Sequence, residues 1–263
     1  MEKIPAGALN LFIKPSYILF MCIDFLEKAW KVYRKNILPF TGAMIIILLI
    51  TALFGLWSYS LLRIRGLNSL SEVNEENLGY VARTVGSTTI LEIIGIVIVM
   101  SLIIKIISLG IYGMAFEAIK RKTKISTLFR IVKEKWFIFL KIIILMGIIY
   151  GLFFTFLIII LSPLLSYSLL IFDVLFFLLL TLFSVFFMLV YPAVVDKNEI
   201  LNAVRVSIER AKKYYVELFG LLITFIIISI ILSFIPILGT IITYFVISPL
   251  FIISVVQFYK KNK

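Results

Sequence analysis

Two patterns of apolar and polar positions alternate along this chain. The first is a long apolar run nearly free of charge. Six of these, at about 37–62, 89–115, 137–161, 165–192, 216–235 and 237–258, have the roughly 20 apolar residues that an α-helix needs to cross a bilayer core. The second is a short stretch in which charge recurs at helical spacing. In "DFLEKAWKVYRKNILPF", residues 24–40, Asp24, Glu27, Lys28, Lys31 and Arg34 gather on one side of a helix, with Cys22, Phe25, Ala29, Trp30 and Tyr33 on the other. The pattern returns in "ISTLFRIVKEKWFIFLKI", residues 125–142, where Ile125, Leu128, Phe129, Val132 and Trp136 oppose Arg130, Lys133 and Glu134. In 196–220 the stripe is Ile200, Val204, Ile208, Ala211 and Tyr215, opposed by Asn202, Arg205, Glu209 and Lys212.

Each amphipathic stretch stands just before the first, third or fifth span. The chain thus reads as three tandem units, about 16–120, 121–193 and 196–260, each an amphipathic helix followed by a membrane hairpin. The predicted fold class is all-α, a polytopic membrane bundle of six transmembrane helices with three cytoplasmic interfacial helices at 18–35, 125–136 and 199–214. By domain, 1–36 is an N-terminal segment, 37–258 a single membrane domain and 259–263 a basic tail. Trp30, Tyr33, Trp136, Tyr214 and Tyr215 are the expected anchors at headgroup depth. The same amphipathic pattern also fits helices that pack together as a cytoplasmic cap.

Punctuation refines the outline. Proline at Ser162-Pro163 and at Phe234-Ile235-Pro236 predicts two tight hairpin turns. Asp196 followed by Glu199 resembles a capping box that would start the third amphipathic helix. Residues 63–88 form the one substantial external loop, in which Leu70, Val73, Val81 and Val85 mark a short amphipathic helix bearing Glu72, Glu75 and Glu76. Glu92 is placed at the interface, and Gly147 with Gly151 marks a close helix contact. No cleavable leader is apparent, because the apolar run 17–23 is short and is interrupted by Asp24.

Composition agrees: 62% of the 263 residues are hydrophobic and 15% charged, which leaves more apolar surface than a soluble domain can cover. The net charge of +12 is unevenly spread. Of 26 Lys and Arg, 22 fall on one side of a six-span arrangement, and only Arg63, Arg65 and Arg83 fall on the other. The positive-inside rule then places both termini of a multi-pass membrane protein in the cytoplasm. Anionic lipid headgroups are the expected partners of these cations, and no nucleic-acid-binding motif accompanies them. With no histidine and one cysteine, the usual zinc, haem and iron–sulfur ligand sets and the Ser–His and Cys–His catalytic pairs cannot be assembled. No cofactor and no enzymatic activity are expected.

The last third carries a resemblance. "YPAVVDKNEILNAVRVSIERAKKYYVELFGLLI", residues 191–223, holds an apolar-Pro segment, an acidic turn, and then Ala203, Arg205 and Ser207 on a helix. "SPLFIISVVQFYKKNK", residues 248–263, is a proline-containing last span with an aromatic and basic tail. Together these resemble a group of six-span prokaryotic membrane proteins that includes the membrane domain of some glycerophosphoryl diester phosphodiesterases. The resemblance implies a six-span helical domain with cytoplasmic interfacial helices. It does not imply phosphodiesterase activity, which in those enzymes belongs to a separate soluble domain.

Within the spans two charges stand out. Lys105 lies near the middle of the second span, with Ser101, Ser108 and Tyr112 on its face. Asp173 lies in the fourth span, with Ser166, Ser184 and Tyr191 close to its face. Charge in hydrocarbon is costly, so both stripes are expected to turn towards one interior, as a polar path or as packing contacts between helices. A non-enzymatic scaffold or partner subunit, working with another protein or a second copy, heads the functional readings. A permease-like transporter of a small solute or lipid is the alternative. A water-accessible cavity reaching Lys105 would favour transport, and a dry, close-packed bundle the scaffold.

Overall fold

A computed structural model describes residues 15–64, 78–165 and 168–262. Among them every regular element is helical: α1 (Pro15–Lys35), α2 (Ile37–Ile64), α3 (Leu78–Ala118), α4 (Ile125–Leu165), α5 (Leu169–Phe187), α6 (Val190–Lys197), α7 (Ile200–Lys213), α8 (Tyr215–Ser233), α9 (Leu238–Ile242), one π-helical turn (Thr243–Ile247) and α10 (Ser248–Lys261). Six stretches are long and apolar enough to cross a membrane: Ile37–Leu61, Leu91–Ala118, Ile125–Leu164, Leu169–Lys197, Tyr215–Ser233 and Leu238–Lys261. The protein is an all-α, multi-pass membrane bundle.

Several boundaries differ from the expected ones. Helix α3 begins at Leu78, so much of the expected 63–88 loop is helix, and 65–77 lie outside the described residues. The second amphipathic stretch is not a separate helix, because Ile125–Leu165 is one unbroken 41-residue helix. No glycine, proline or capping residue stands between Glu134 and Ile138 to interrupt it. Pro163 lies inside α4 rather than at the turn; Ser168 starts α5, its hydroxyl accepting the Ile171 N–H at 3.4 Å. The fourth span breaks at Met188–Leu189, and Pro192 falls in the first turn of α6, where a missing N–H costs no helical bond. Asp196 lies in the last turn of α6 and does not cap α7, whose N-cap is Glu199 without a side-chain cap bond. The hairpin at Pro236 does form. There Ile237 takes φ 59°, and a Cβ on Gly239 would meet the Leu232 carbonyl oxygen at 1.7 Å, so only glycine fits.

The main core sits at one end of the bundle, the end that carries α1, the α3–α4 connection, α7 and the C-terminus. We call this the basic end. Phe40, Ile111, Met114, Leu128, Phe139, Leu218, Phe258 and Tyr259 are fully buried there. Towards the far end the spans show large apolar side chains outward, such as Leu53 at 64%, Leu152 at 69% and Leu170 at 73% exposure. Lipid would cover that surface. A small second cluster, Leu157, Leu161 and Phe176, belongs to the far parts of α4 and α5 alone.

At the basic end the helices are tied by side chains that reach the carbonyls of helix ends, which have no partner within their own helix. Lys260 donates to Phe116 O in the last turn of α3 at 3.0 Å, and Arg210 to Tyr259 O in the last turn of α10 at 3.0 Å. Lys135 donates to Val195 O at the end of α6, and Ser207 to Phe186 O at the end of α5 at 2.7 Å. A cation at a helix C-terminus is also favoured by the helix dipole. Buried Asn36 closes the α1–α2 elbow; its Oδ1 accepts the Thr123 N–H at 2.8 Å across 87 residues of chain.

Helix α1 is packed on protein. Cys22, Phe25, Ala29 and Tyr33 are all buried, and α1 lies against α10 and α8, with Phe25 and Phe258 rings 5.6 Å apart. Tyr33 is therefore a core residue rather than an anchor. Pro249 has no N–H for the Phe245 carbonyl one turn before it, and the Tyr33 hydroxyl donates to that oxygen at 2.9 Å. Tyr215 likewise donates inward, to Leu182 O at 3.1 Å, and Tyr214 is half-buried with its ring 5.9 Å from that of Phe258. Trp30 at 44% and Trp136 at 53% remain exposed, where an anchor must be. The charged side of α1 carries the Asp24–Lys28 and Glu27–Lys31 pairs, each at 2.6 Å.

Candidate ligand cavity

Between α3, α8 and α10, with Ile143 of α4 and Tyr191 of α6 completing the wall, lies a cavity of about 580 Å³. Helix α3 supplies Lys105, Ser108, Leu109 and Tyr112. These recur at three- and four-residue spacing and so fall on one face. Helix α8 supplies Leu222, Phe225, Ile226, Ser229, Ile230 and Ser233, and the π-turn with α10 supplies Ile247, Ser248, Phe251 and Ile252. The Ser248 hydroxyl donates to Thr243 O at 3.1 Å. A π-turn widens the helix locally, a feature frequent at functional sites.

The floor lies towards the basic end. Leu109, Tyr112, Phe225 and Ile252 are all buried, and the Tyr112 and Tyr191 rings lie 5.7 Å apart. Fully buried Ile111, Met114 and Val256 back this floor. Towards the far end Ile230 and Ser233 are exposed and form the mouth. Lys105 stands seven residues before Tyr112, about 10.5 Å along the helix axis, and is itself exposed to the open space.

The polar groups are few and differently engaged. Ser108 donates to Ile104 O at 2.8 Å and Ser233 to Ile230 O at 2.7 Å, and both keep oxygen lone pairs for a further partner. Lys105, Tyr112, Tyr191 and Ser229 make no hydrogen bond or ion pair within the described residues. The lining has no carboxylate, cysteine or imidazole. The cavity thus offers one cation and several hydroxyls in an apolar wall, which suits an acidic or strongly polar head on an apolar body. Among the described residues no group of three His, Cys, Asp or Glu is placed to hold a metal.

Of the polar residues singled out in the sequence, Lys105, Ser108, Tyr112 and Tyr191 meet in this cavity. Ser101, one turn from Lys105, is exposed and does not line it. Ser184 lies on α5 and donates to Leu180 O at 2.8 Å. Ser166 lies outside the described residues. Asp173 does not face Lys105: it sits on the exposed side of α5 beside Leu170, Val174 and Phe177 and makes no ion pair among the described residues. The helical wheel that joined Asp173 to Tyr191 assumed one continuous helix, and the break at Met188–Leu189 removes that phase relation.

Ser229, Ser233 and Ser248 were missed. The available signal was modest, two serines at i, i+4 in an otherwise apolar fifth span and a serine just before Pro249. A second groove of similar size, between the last turns of α2 and the middle of α3, is lined by Phe54, Trp57, Leu61, Glu92, Gly95, Ile96 and Val99. Compared with known proteins, the chain matches no family model, no curated protein and no solved structure.

Proposed function

We propose that the protein is permease-like and takes up an acidic-headed amphiphile, with its basic end facing the cytoplasm. One observation carries this: an open, largely apolar cavity at mid-membrane contains the unpaired Lys105 and the Tyr112, Tyr191, Ser108 and Ser229 hydroxyls. A lysine at this depth is costly without a partner, and an acidic ligand head would supply one. The apolar wall would receive the ligand's body. The closed floor and far-side mouth correspond to one of the two states that alternating access requires. The scaffold reading draws its support from the densely tied basic end, which alone needs no cavity.

The test uses purified protein in vesicles and a fluorescent fatty acid, with its neutral amide as control. Translocation of the acid should exceed that in protein-free vesicles. Lys105→Met should reduce it about tenfold, the scale of one charged hydrogen bond, with no loss of thermal stability, since Lys105 has no partner to leave behind. Equal rates with and without protein, or an unaffected Lys105→Met, would return the protein to the scaffold reading.

A further inference from the structure

A second concave site lies at the basic end, outside the cavity. It is a groove of about 450 Å³ between the last turn of α3 and the start of α4, lined by Gly113, Phe116, Glu117, Lys120, Arg121, Arg130 and Ile131. Gly113 brings the two helices this close: a Cβ there would meet Ile131 Cδ1 at 2.5 Å. Three cations and one carboxylate leave the groove positive, and the carboxylate organises two of the cations. Glu117 Oε1 accepts from Arg121 and, at 3.3 Å, from Arg130. The Glu117 side chain is 16% exposed, whereas those of Arg121 and Arg130 are 70% and 55% exposed. Each guanidinium has five N–H donors, so most still point to solvent. Lys120 is exposed and has no carboxylate partner among the described residues.

We infer that this groove binds the phosphate of an anionic membrane phospholipid. Two guanidiniums held by a common carboxylate, with a free ammonium beside them, present a fixed fork of donors that suits a phosphate. The remaining lining is apolar, from Phe116, Gly113 and Ile131. The level is right for a headgroup, since the apolar stretch of α3 ends at Ala118 and Lys120 and Arg121 follow directly. Phe129, next to Arg130 in the chain, and Trp136, two turns further on, are 57% and 53% exposed and offer apolar surface to acyl chains. Basic pockets between transmembrane helices are a known form of lipid recognition. This inference does not depend on the use of the Lys105 cavity.

The experiment measures lipid retention and thermal stability of the purified full chain in a non-ionic detergent. The probes are phosphatidylglycerol, phosphatidylcholine and inorganic phosphate. Saturable binding of one phosphatidylglycerol, with little response to the other two, is expected. Lys120→Gln with Arg130→Gln should weaken it at least tenfold, at about fivefold per charge. Lys212→Gln with Lys213→Gln removes the same charge from the same end and should change it less than about twofold. Because Arg130→Gln takes a partner from Glu117, the single change Lys120→Gln serves as the conservative variant, with a loss of about fivefold. Equal losses in the two double variants would show diffuse surface attraction and overturn the site. Equal responses to phosphatidylcholine, or full stabilisation by inorganic phosphate, would overturn the lipid assignment.

Discussion

Single side chains hold positions here that no neighbour can replace. Gly239 is one, because any Cβ would overlap the Leu232 carbonyl oxygen. Gly239→Ala should lower stability by at least about 2 kcal/mol, at the upper side of typical overpacking costs. Thermal unfolding in detergent measures this, and a change within about 0.5 kcal/mol, as for a surface substitution, would show that the hairpin relaxes freely. Tyr33→Phe removes only the hydroxyl that serves Phe245 O. Leaving a carbonyl at this site unsatisfied should cost about 1–3 kcal/mol. Buried Cys22 differs: burial raises its thiol pKa above the ordinary range, so the folded state favours the neutral thiol. That contribution to stability is complete below the unfolded thiol's pKa, about 8.5, and is lost as pH rises beyond it. Alkylation of Cys22 at neutral pH should therefore be slow until the protein is unfolded, and rapid labelling of the folded protein would contradict its burial.

At the scale of elements, the distinction that matters is which cations close helices. Arg205 and Arg210 lie five residues apart on α7, and the sequence alone gives little reason to rank them. Arg205 pairs with Glu209 in solvent, its side chain 79% exposed. Arg210 donates to the last turn of α10 and stacks over the Tyr259 ring at 4.4 Å, while the Tyr259 hydroxyl donates to Asp196 at 3.0 Å. Arg205→Ala should therefore leave the unfolding temperature essentially unchanged, as for other solvent-exposed ion pairs. Arg210→Ala should cost about 2 kcal/mol, the worth of a charged hydrogen bond plus the ring contact. Equal effects in thermal unfolding would remove the capping role. The α1, α4 and α7 stretches diverge in the same way. α1 and α7 are separated from the spans that follow by Asn36 and Tyr214, whereas the α4 stretch is continuous with its span.

For the whole molecule, a dense basic end and a looser far half are what the proposed permease needs, a fixed side and a side open to ligand. The topology is directly testable. In a Cys22→Ser background, cysteines at Ser60, near the far end of α2, and at Lys261, at the end of α10, should react with an impermeant reagent from opposite sides of the membrane. Labelling from the same side would end the six-span arrangement.

The number of spans, their approximate limits and the gathering of charge at one end were legible in the sequence. They follow from local quantities, the length of apolar runs and the placement of Lys and Arg. Lys105, Ser108 and Tyr112 were legible as one face for the same reason, because they share an unbroken helix. What depended on joining helices was not legible. The break at Met188–Leu189 moved Tyr191 out of phase with Asp173, so the two polar stripes do not share one interior: Lys105 and Tyr191 line the cavity and Asp173 faces outward. Tyr33 read as an anchor because an amphipathic aromatic looks the same whether lipid or another helix covers it. Only the packing of α1 on α10, and the carbonyl that Pro249 leaves open, made it core. Periodicity records which side of a helix is apolar; which partner covers that side is decided by contacts between residues as far apart as Tyr33 and Phe245.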